Sequence, residues 1–317
     1  MTARVLIAEP TIHTDTVCRI LGAGVDVTRG PLPTREALFT AIADVDAVFT
    51  RLGHRLDAEV LSKGRRLRVI ATPTTGLTHI DVDAARAAGI HILSLRGERD
   101  FLEDLPATAE LAWGLLLAVM RQIVAAGWHT SAGGWDRDLF WGAELAGKTL
   151  GIIGLGRVGR RVAKYGEAFG MSVLAFDTAK DVQSPAYVGL VDRGTLLRSS
   201  DVITIHTHHE QGQPPILTAA DFQTLKPGCV LVNTSRGELV DEEALLQALS
   251  GGRLAGAGLD VLTGEPEVDS RFAELQKAGN VVITPHIGGA THESIAKTET
   301  LMAHKLRAYL ESPDAAH

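Results

Sequence analysis

The stretch GIIGLGRVGRRVAKYGEAFGMSVLAFD, residues 151–177, decides the fold. It begins inside an apolar strand pattern, TLGIIG (149–154), passes into a helical pattern and returns to a second strand, SVLAFD (172–177). At the first junction Gly154, Gly156 and Gly159 stand in the spacing GxGxxG. In a strand–turn–helix unit the first glycine permits the tight turn, the second lets backbone approach a pyrophosphate, and the third allows close helix–strand packing. The exposed N–H groups of the helix start then favour phosphate charge. The second strand ends in Asp177, eighteen residues beyond Gly159, where a carboxylate can accept hydrogen bonds from the ribose hydroxyls of an adenosine. A 2′-phosphate would meet that charge, and Thr178 and Ala179 offer no arginine to receive it. The unit therefore reads as a site for NAD in preference to NADP. An S-adenosylmethionine site, which also sets an acid after a glycine loop, is the competing reading at this point.

Outward from this unit, short β-branched runs alternate with helical patterns almost from end to end, which signals parallel sheets built from βαβ units. Strands are expected at 5–9, 25–28, 47–50, 68–72 and 91–95, enough for one small sheet. A second series is expected at 149–154, 172–177, 201–207, 229–235, 255–261 and 280–285. Between the two lies a Leu- and Ala-rich helix from about Glu103 to Ala126, then a Gly-rich loop, 127–145, carrying Trp128, Trp135 and Trp141. Exposed aromatics on such a loop suit a second copy of the chain, or the loop folds back on its own domain. A terminal helix is expected from about His292 to Glu311.

A chain of 317 residues is long enough for two domains of ordinary size. A formal net charge of −7 leaves no basic footprint, so nucleic acid is not an expected partner. The longest apolar run, LAWGLLLAVM (111–120), is closed by Arg121 and is about half of the ~20 residues that a membrane span requires. The opening MTARVLIAEP reads as a first strand and not as a signal peptide, so a cytoplasmic location is expected. Cys18 and Cys229, the only cysteines, read as buried thiols of a reducing compartment.

Three later segments, NTSRGELVDEEAL (233–245), LDVLTGEP (259–266) and TPHIGG (284–289), each set a polar residue just after an apolar strand. In an open α/β sheet the carboxyl ends of the strands are where ligands bind. Arg236, Glu265 and His286 thus make a complete set for reducing a 2-keto acid. An arginine offers a two-pronged cation to the substrate carboxylate. A histidine can give a proton to the carbonyl oxygen as hydride arrives at carbon. A glutamate on the other ring nitrogen fixes the tautomer and is expected to raise the imidazole pKa. A methyltransferase needs no such trio, which decides against S-adenosylmethionine.

With these segments the chain resembles the D-isomer-specific 2-hydroxyacid dehydrogenase family, and the phosphoglycerate-dehydrogenase-like members in particular. The matching motifs run through nearly the whole chain: TTGLTHIDVDAARAAGI (74–90), ATAELAWGLLLA (107–118), GKTLGIIGLGRVG (147–159), LKPGCVLVNTSRGELVDEEAL (225–245), then the EP and HIGG segments. The resemblance implies two doubly wound parallel-sheet domains. A Rossmann NAD-binding domain (99–289) would be inserted in a flavodoxin-like substrate domain (1–98 plus 290–317), with a substrate cleft closing between them. It implies hydride transfer between NAD(H) and a small D-2-hydroxy or 2-keto acid, with Arg236, Glu265 and His286 as the catalytic trio. Thr75 and Gly76 would offer N–H groups to the substrate carboxylate, and Arg51 resembles a position that meets substrate in some relatives. Thr108 and Asp260 would lie near the nicotinamide, Arg157 and Val158 at the pyrophosphate. Thr207, Thr234, Ser235 and Gly288 would line the cofactor cleft. A homodimer formed through the Trp-bearing loop is implied as well.

One segment departs from the family pattern. ITIHTHHEQGQPP (203–215) has His208 where relatives usually place proline, which puts the shape of this loop beside the ribose in question. His206 and His208 alternate on a strand and could face the same way, but a metal site would need a third ligand with geometry that the sequence does not show, so no metal is expected. Arg96 and Arg99 read as solvated surface cations. A second functional reading is an NAD-sensing binding protein of the corepressor type. Formate dehydrogenases carry glutamine at the position of Glu265, which disfavours that activity.

Overall fold

The computed structural model describes residues 2–179, 181–209, 212–265 and 270–312. The chain divides into two compact units, Met1–Asp104 with Ala290–His317 and Leu105–Gly289. The division falls after Asp104, so the short helix Arg99–Glu103 goes with the outer unit and not with the inserted one.

In the outer unit β1 (Ala3–Ile7), β2 (Val25–Arg29), β3 (Ala47–Phe49), β4 (Val69–Ala71) and β5 (His91–Leu93) form one parallel sheet in the order β2-β1-β3-β4-β5. Alternate side chains feed two cores. Val5, Ile7, Ala47, Phe49 and Val69 pack on one face with Met302, Ala303 and Leu306 of the helix His292–Glu311. Leu6, Val48 and Ile70 pack on the other with Leu38, Ile42 and Val60. Strands buried on both faces carry apolar residues at successive positions, which is why they read as unbroken hydrophobic runs.

The inserted unit has seven parallel strands: β6 (Thr149–Ile153), β7 (Ser172–Phe176), β8 (Val188–Leu190), β9 (Val202–Ile205), β10 (Cys229–Asn233), β11 (Leu254–Leu259) and β12 (Val281–Ile283). Their order is β12-β11-β10-β9-β6-β7-β8. From β6 the chain builds outward to β8, then crosses to the other side of β6 and builds outward to β12. The reversal between β6 and β9 opens a crevice at the carboxyl ends of those strands, the usual place for a ligand in such a sheet. β8 is absent from the sequence expectation, because a three-residue edge strand containing Gly189 has too little pattern to read.

Two other expectations change. The single helix from Glu103 to Ala126 is three: Arg99–Glu103, Ala107–Met120 and Ile123–Ser131. Pro106 has no N–H to continue a helix and instead starts the second one. Gln122, at φ 51°, turns the chain again and its side chain bonds the carbonyl of Trp141 at 2.7 Å. Residues 127–145, expected as loop, are helical as far as Ser131 and form a 3-10 turn at Arg137–Leu139. Among the described residues no single helix is long and apolar enough to cross a membrane. The run 111–120 lies in Ala107–Met120, whose Leu115, Leu116 and Val119 are buried in the core of the inserted unit.

Candidate active site

One hydrogen-bonded row fixes where chemistry can sit in the inserted unit. Phe176, Ile153, Ile205, Asn233, Leu259 and Ile283 are register partners across β7, β6, β9, β10, β11 and β12. The residues that follow them are Asp177, Gly154, His206, Thr234, Asp260 and Thr284. At ~4.8 Å per strand, five steps extend this edge over about 24 Å.

At the β6 end the residues fit a dinucleotide. Gly154 has φ 93°, and a Cβ there would lie 2.6 Å from the carbonyl oxygen of His206; one on Gly159 would lie 2.1 Å from that of Gly154. Gly156 differs, since its φ of −77° suits any residue and no protein atom lies within 4 Å of a Cβ placed on it. A glycine that the protein itself does not require leaves room for something else, here phosphate at the N-terminus of the helix Arg157–Ala168. Arg157 donates from Nη1 to the carbonyl of Leu105 at 2.7 Å, and Val158 is half-buried beside it. Asp177 accepts from the N–H of Leu155 at 2.7 Å and from that of Ala179 at 2.9 Å, one on each oxygen. It thus holds the glycine loop while each oxygen keeps a further lone pair for a ribose hydroxyl.

At the β12 end Asp260 organises the turn. Its carboxylate is buried and accepts from Thr284 Oγ1 at 2.6 Å, Ile287 N at 2.8 Å and Gly288 N at 2.8 Å. The Gly288 carbonyl in turn accepts from Thr108 Oγ1 at 3.2 Å. Between these anchors His286 has φ 52°, a left-handed conformation that a non-glycine residue adopts only under constraint. Burial pushes the Asp260 carboxyl above the usual range, against the pull of Thr284 and the two amides. The His286 ring donates or accepts through Nδ1 with Glu265 Oε1, and both side chains are about a quarter exposed.

Glu265 stands on a turn that Glu242 holds from the side. The buried Glu242 carboxylate accepts from Thr263 N at 2.6 Å. That contact was not anticipated from the sequence, although DEE at a helix start is where carboxylates reach backbone N–H groups. Arg236 enters from the end of β10. Asn233 braces this turn twice, donating from Nδ2 to the Arg236 carbonyl at 2.8 Å and accepting from Ser235 N at 3.0 Å. Ser235 Oγ bonds the carbonyl of Ile205 at 2.7 Å, and Thr234 is buried. Glu265 and His286 are therefore in direct contact, and Arg236 follows the strand beside β11 at the same edge.

Thr207 is half-buried and His208 exposed. The His206 residue reaches the surface in part, but its ring is enclosed, bonded through Nε2 to Thr204 Oγ1 at 2.8 Å, and burial pushes its pKa down to about 3. Among the described residues no group of three or more His, Cys, Asp or Glu is arranged to hold a metal ion.

Arg51, Thr75 and Gly76 belong to the outer unit. Thr75 is exposed and Gly76 half-buried in a loop braced by Thr74, whose Oγ1 donates to the Gly76 carbonyl at 2.8 Å and meets Thr72 Oγ1 at 3.0 Å. Arg51 follows β3, with its backbone N–H given to Glu9 and its guanidinium 3.7 Å from Glu299.

A sequence profile described as the D-isomer specific 2-hydroxyacid dehydrogenase, NAD binding domain, matches residues 113–288. A glyoxylate reductase of Thermococcus litoralis is 38% identical over 286 residues, 87% of this chain and 84% of the relative. A D-3-phosphoglycerate dehydrogenase of Archaeoglobus fulgidus is 38% identical over 293 residues, covering 92% of this chain, which spans only 54% of that longer protein. A D-lactate dehydrogenase of Aquifex aeolicus, solved with NAD and lactic acid, is 25% identical and superposes with a TM-score of 0.80 over 97% of this chain and 95% of its own. These relatives are oxidoreductases by name, and they give no support to a corepressor reading.

Proposed function

Because the chain belongs to the D-isomer-specific 2-hydroxyacid dehydrogenase family and is an NAD-dependent oxidoreductase, we propose that it reduces a short 2-keto acid to the D-2-hydroxy acid through Arg236, His286 and Glu265. The observation that carries this reading is the contact between His286 Nδ1 and Glu265 at the end of the register row that begins at Asp177. NAD bound along that edge supplies or receives the hydride. Asp177 would hold the ribose, the N–H groups around Arg157 and Val158 the pyrophosphate, and Thr207, Thr234, Ser235, Thr108, Asp260 and Gly288 the remainder of the cofactor.

With Glu265 on Nδ1, the ring presents Nε2 to the substrate, where it gives a proton to the keto oxygen and takes one back in the reverse direction. The Arg236 guanidinium binds the substrate carboxylate as a fork and draws charge from the neighbouring carbonyl. Thr75 and Gly76 would offer backbone N–H groups to the substrate carboxylate, and Arg51 would meet the substrate. Asp260 touches no substrate atom in this scheme; it holds the turn that aims His286.

A homodimer is supported by the apolar surface around the helix Ile123–Ser131 and the 3-10 turn Arg137–Leu139. Trp128, Trp135 and Trp141 are 74%, 92% and 74% exposed, next to exposed Ile123, Val124 and Leu139. A patch of that kind usually marks a partner surface. A reducing, cytoplasmic setting agrees with the two free cysteines, although only Cys229 is fully buried, with its thiol pKa pushed up to about 12, and Cys18 is buried in part.

The test is NADH oxidation with glyoxylate, hydroxypyruvate, pyruvate and phenylpyruvate, beside the His286→Asn variant. The variant is expected to lose about 10² to 10⁴ in turnover while NADH affinity stays within about twofold. Wild-type turnover in the variant rejects the proton-transfer role, and no oxidation with any of the four acids rejects the reading as a whole.

A further inference from the structure

We propose that Glu299 is a specificity residue, which sets the outer unit to accept 2-keto acids with an uncharged tail and to reject phosphorylated ones. The inference rests on the reading of Arg51 as a substrate-facing residue. Within the outer unit the strand order reverses between β1 and β3, and a crevice opens at their carboxyl ends, the ligand position of a doubly wound sheet. Glu9 and Thr11 follow β1, Arg51 follows β3, and Glu299 reaches the same place from the helix His292–Glu311.

These residues tie the arginine down. The Glu299 side chain is 3% exposed; its Oε1 lies 3.7 Å from Arg51 Nη1, and its Oε2 accepts from Thr11 Oγ1 at 2.8 Å. On the other side Glu9 takes the Arg51 backbone N–H. Glu299 stands on a helix and is bonded to Thr11, which holds its carboxylate beside Arg51. With Glu299 and Glu9 both in contact with Arg51, carboxylates outnumber the guanidinium in this crevice.

A phosphate monoester carries about −1.5 to −2 at neutral pH and only accepts hydrogen bonds from its surroundings apart from a residual proton. A phosphate on the exposed part of Arg51 would sit beside the buried Glu299 carboxylate, 3.7 Å from the guanidinium, a like-charge arrangement that opposes binding. The polar atoms left over point to a different tail. Glu9 Oε1 and His13 Nε2 are buried and have no hydrogen-bond partner. Each of these two atoms suits a hydroxyl, which both donates and accepts. The chemistry at this end of the outer unit thus favours a short keto acid ending in hydrogen or hydroxyl.

Hydroxypyruvate and its 3-phosphate differ only in the phosphoryl group, so the full chain is assayed for NADH-dependent reduction of both. The wild type is expected to favour hydroxypyruvate by about 100-fold or more in kcat/KM. Glu299→Gln keeps an acceptor for Thr11 but removes the charge, and is expected to lower that ratio about tenfold. A wild-type ratio near one, or a ratio that Glu299→Gln leaves unchanged, overturns the proposal. If Glu299→Gln fails to fold, as its thermal melt would reveal, the wild-type ratio alone decides. Failure of both compounds to oxidise NADH is a different result, since it removes the keto-acid reading beneath the proposal.

Discussion

Replacing Asp260 by asparagine tests whether the acid chemistry depends on a carboxylate that never meets the substrate. If the retained side-chain oxygen keeps Thr284 and Ile287, the new amide faces the N–H of Gly288, donor against donor. One hydrogen bond to a charged acceptor is lost and a buried N–H is orphaned, a cost of about 1.5–3 kcal/mol. The turn it clamps holds His286 at φ 52°, which stores about 1–3 kcal/mol of its own. The two quantities are comparable, so the turn relaxes and the imidazole leaves its aimed position for much of the time. At ~1.4 kcal/mol per decade, kcat should fall about 10- to 100-fold. Steady-state NADH oxidation gives kcat, and fluorescence titration gives NADH affinity, which should change much less. The pH dependence supplies a second readout. Burial raises the Asp260 pKa, and a protonated carboxyl resembles asparagine in charge, so wild-type turnover should approach that of Asp260→Asn as pH falls. A variant with kcat within about threefold of wild type and an unchanged melt would refute the clamp.

Asp177→Ala should weaken NADH binding on two counts, through the lost ribose acceptor and through release of the Leu155 N–H that orders the glycine loop. Loss of the charge should also narrow the preference over NADPH; equal losses for both cofactors would count against its selecting role. Burial raises the Glu299 pKa in the folded chain, so folding is favoured by its protonation and this contribution is lost as pH rises through the folded value. The melting temperature of Glu299→Gln relative to wild type should therefore be higher at neutral pH than near pH ~4.5, the ordinary glutamate range. A difference independent of pH would contradict it.

The features legible in the sequence are those expressed by neighbours along the chain. GxGxxG, the acid that ends the next strand, and the polar residues after the later strands each announce themselves within a few positions. Strand ends were overrun for a related reason. Thr207, Thr234, Asp260 and Thr284 continue the β-prone pattern of their strands, yet they leave the sheet at the register row. Contacts across long separations carried no signal. Nothing near Thr263 points to Glu242, and Thr11 meets Glu299 across 288 residues. Gln122 was equally silent, because a left-handed residue between two apolar helices is decided by where the chain has to go next.

The shared register row also divides the inserted unit into a part that tolerates change and a part that does not. Connections that do not carry the braced turns at Arg236, Glu265 and His286 can change in length or composition without altering the spacing of those groups. A single residue gained inside β10 or β11 would turn the following side chains to the opposite face of the sheet. New specificities in such a scaffold should therefore arise by recasting connections outside those three turns, while the lengths of the strands themselves stay frozen.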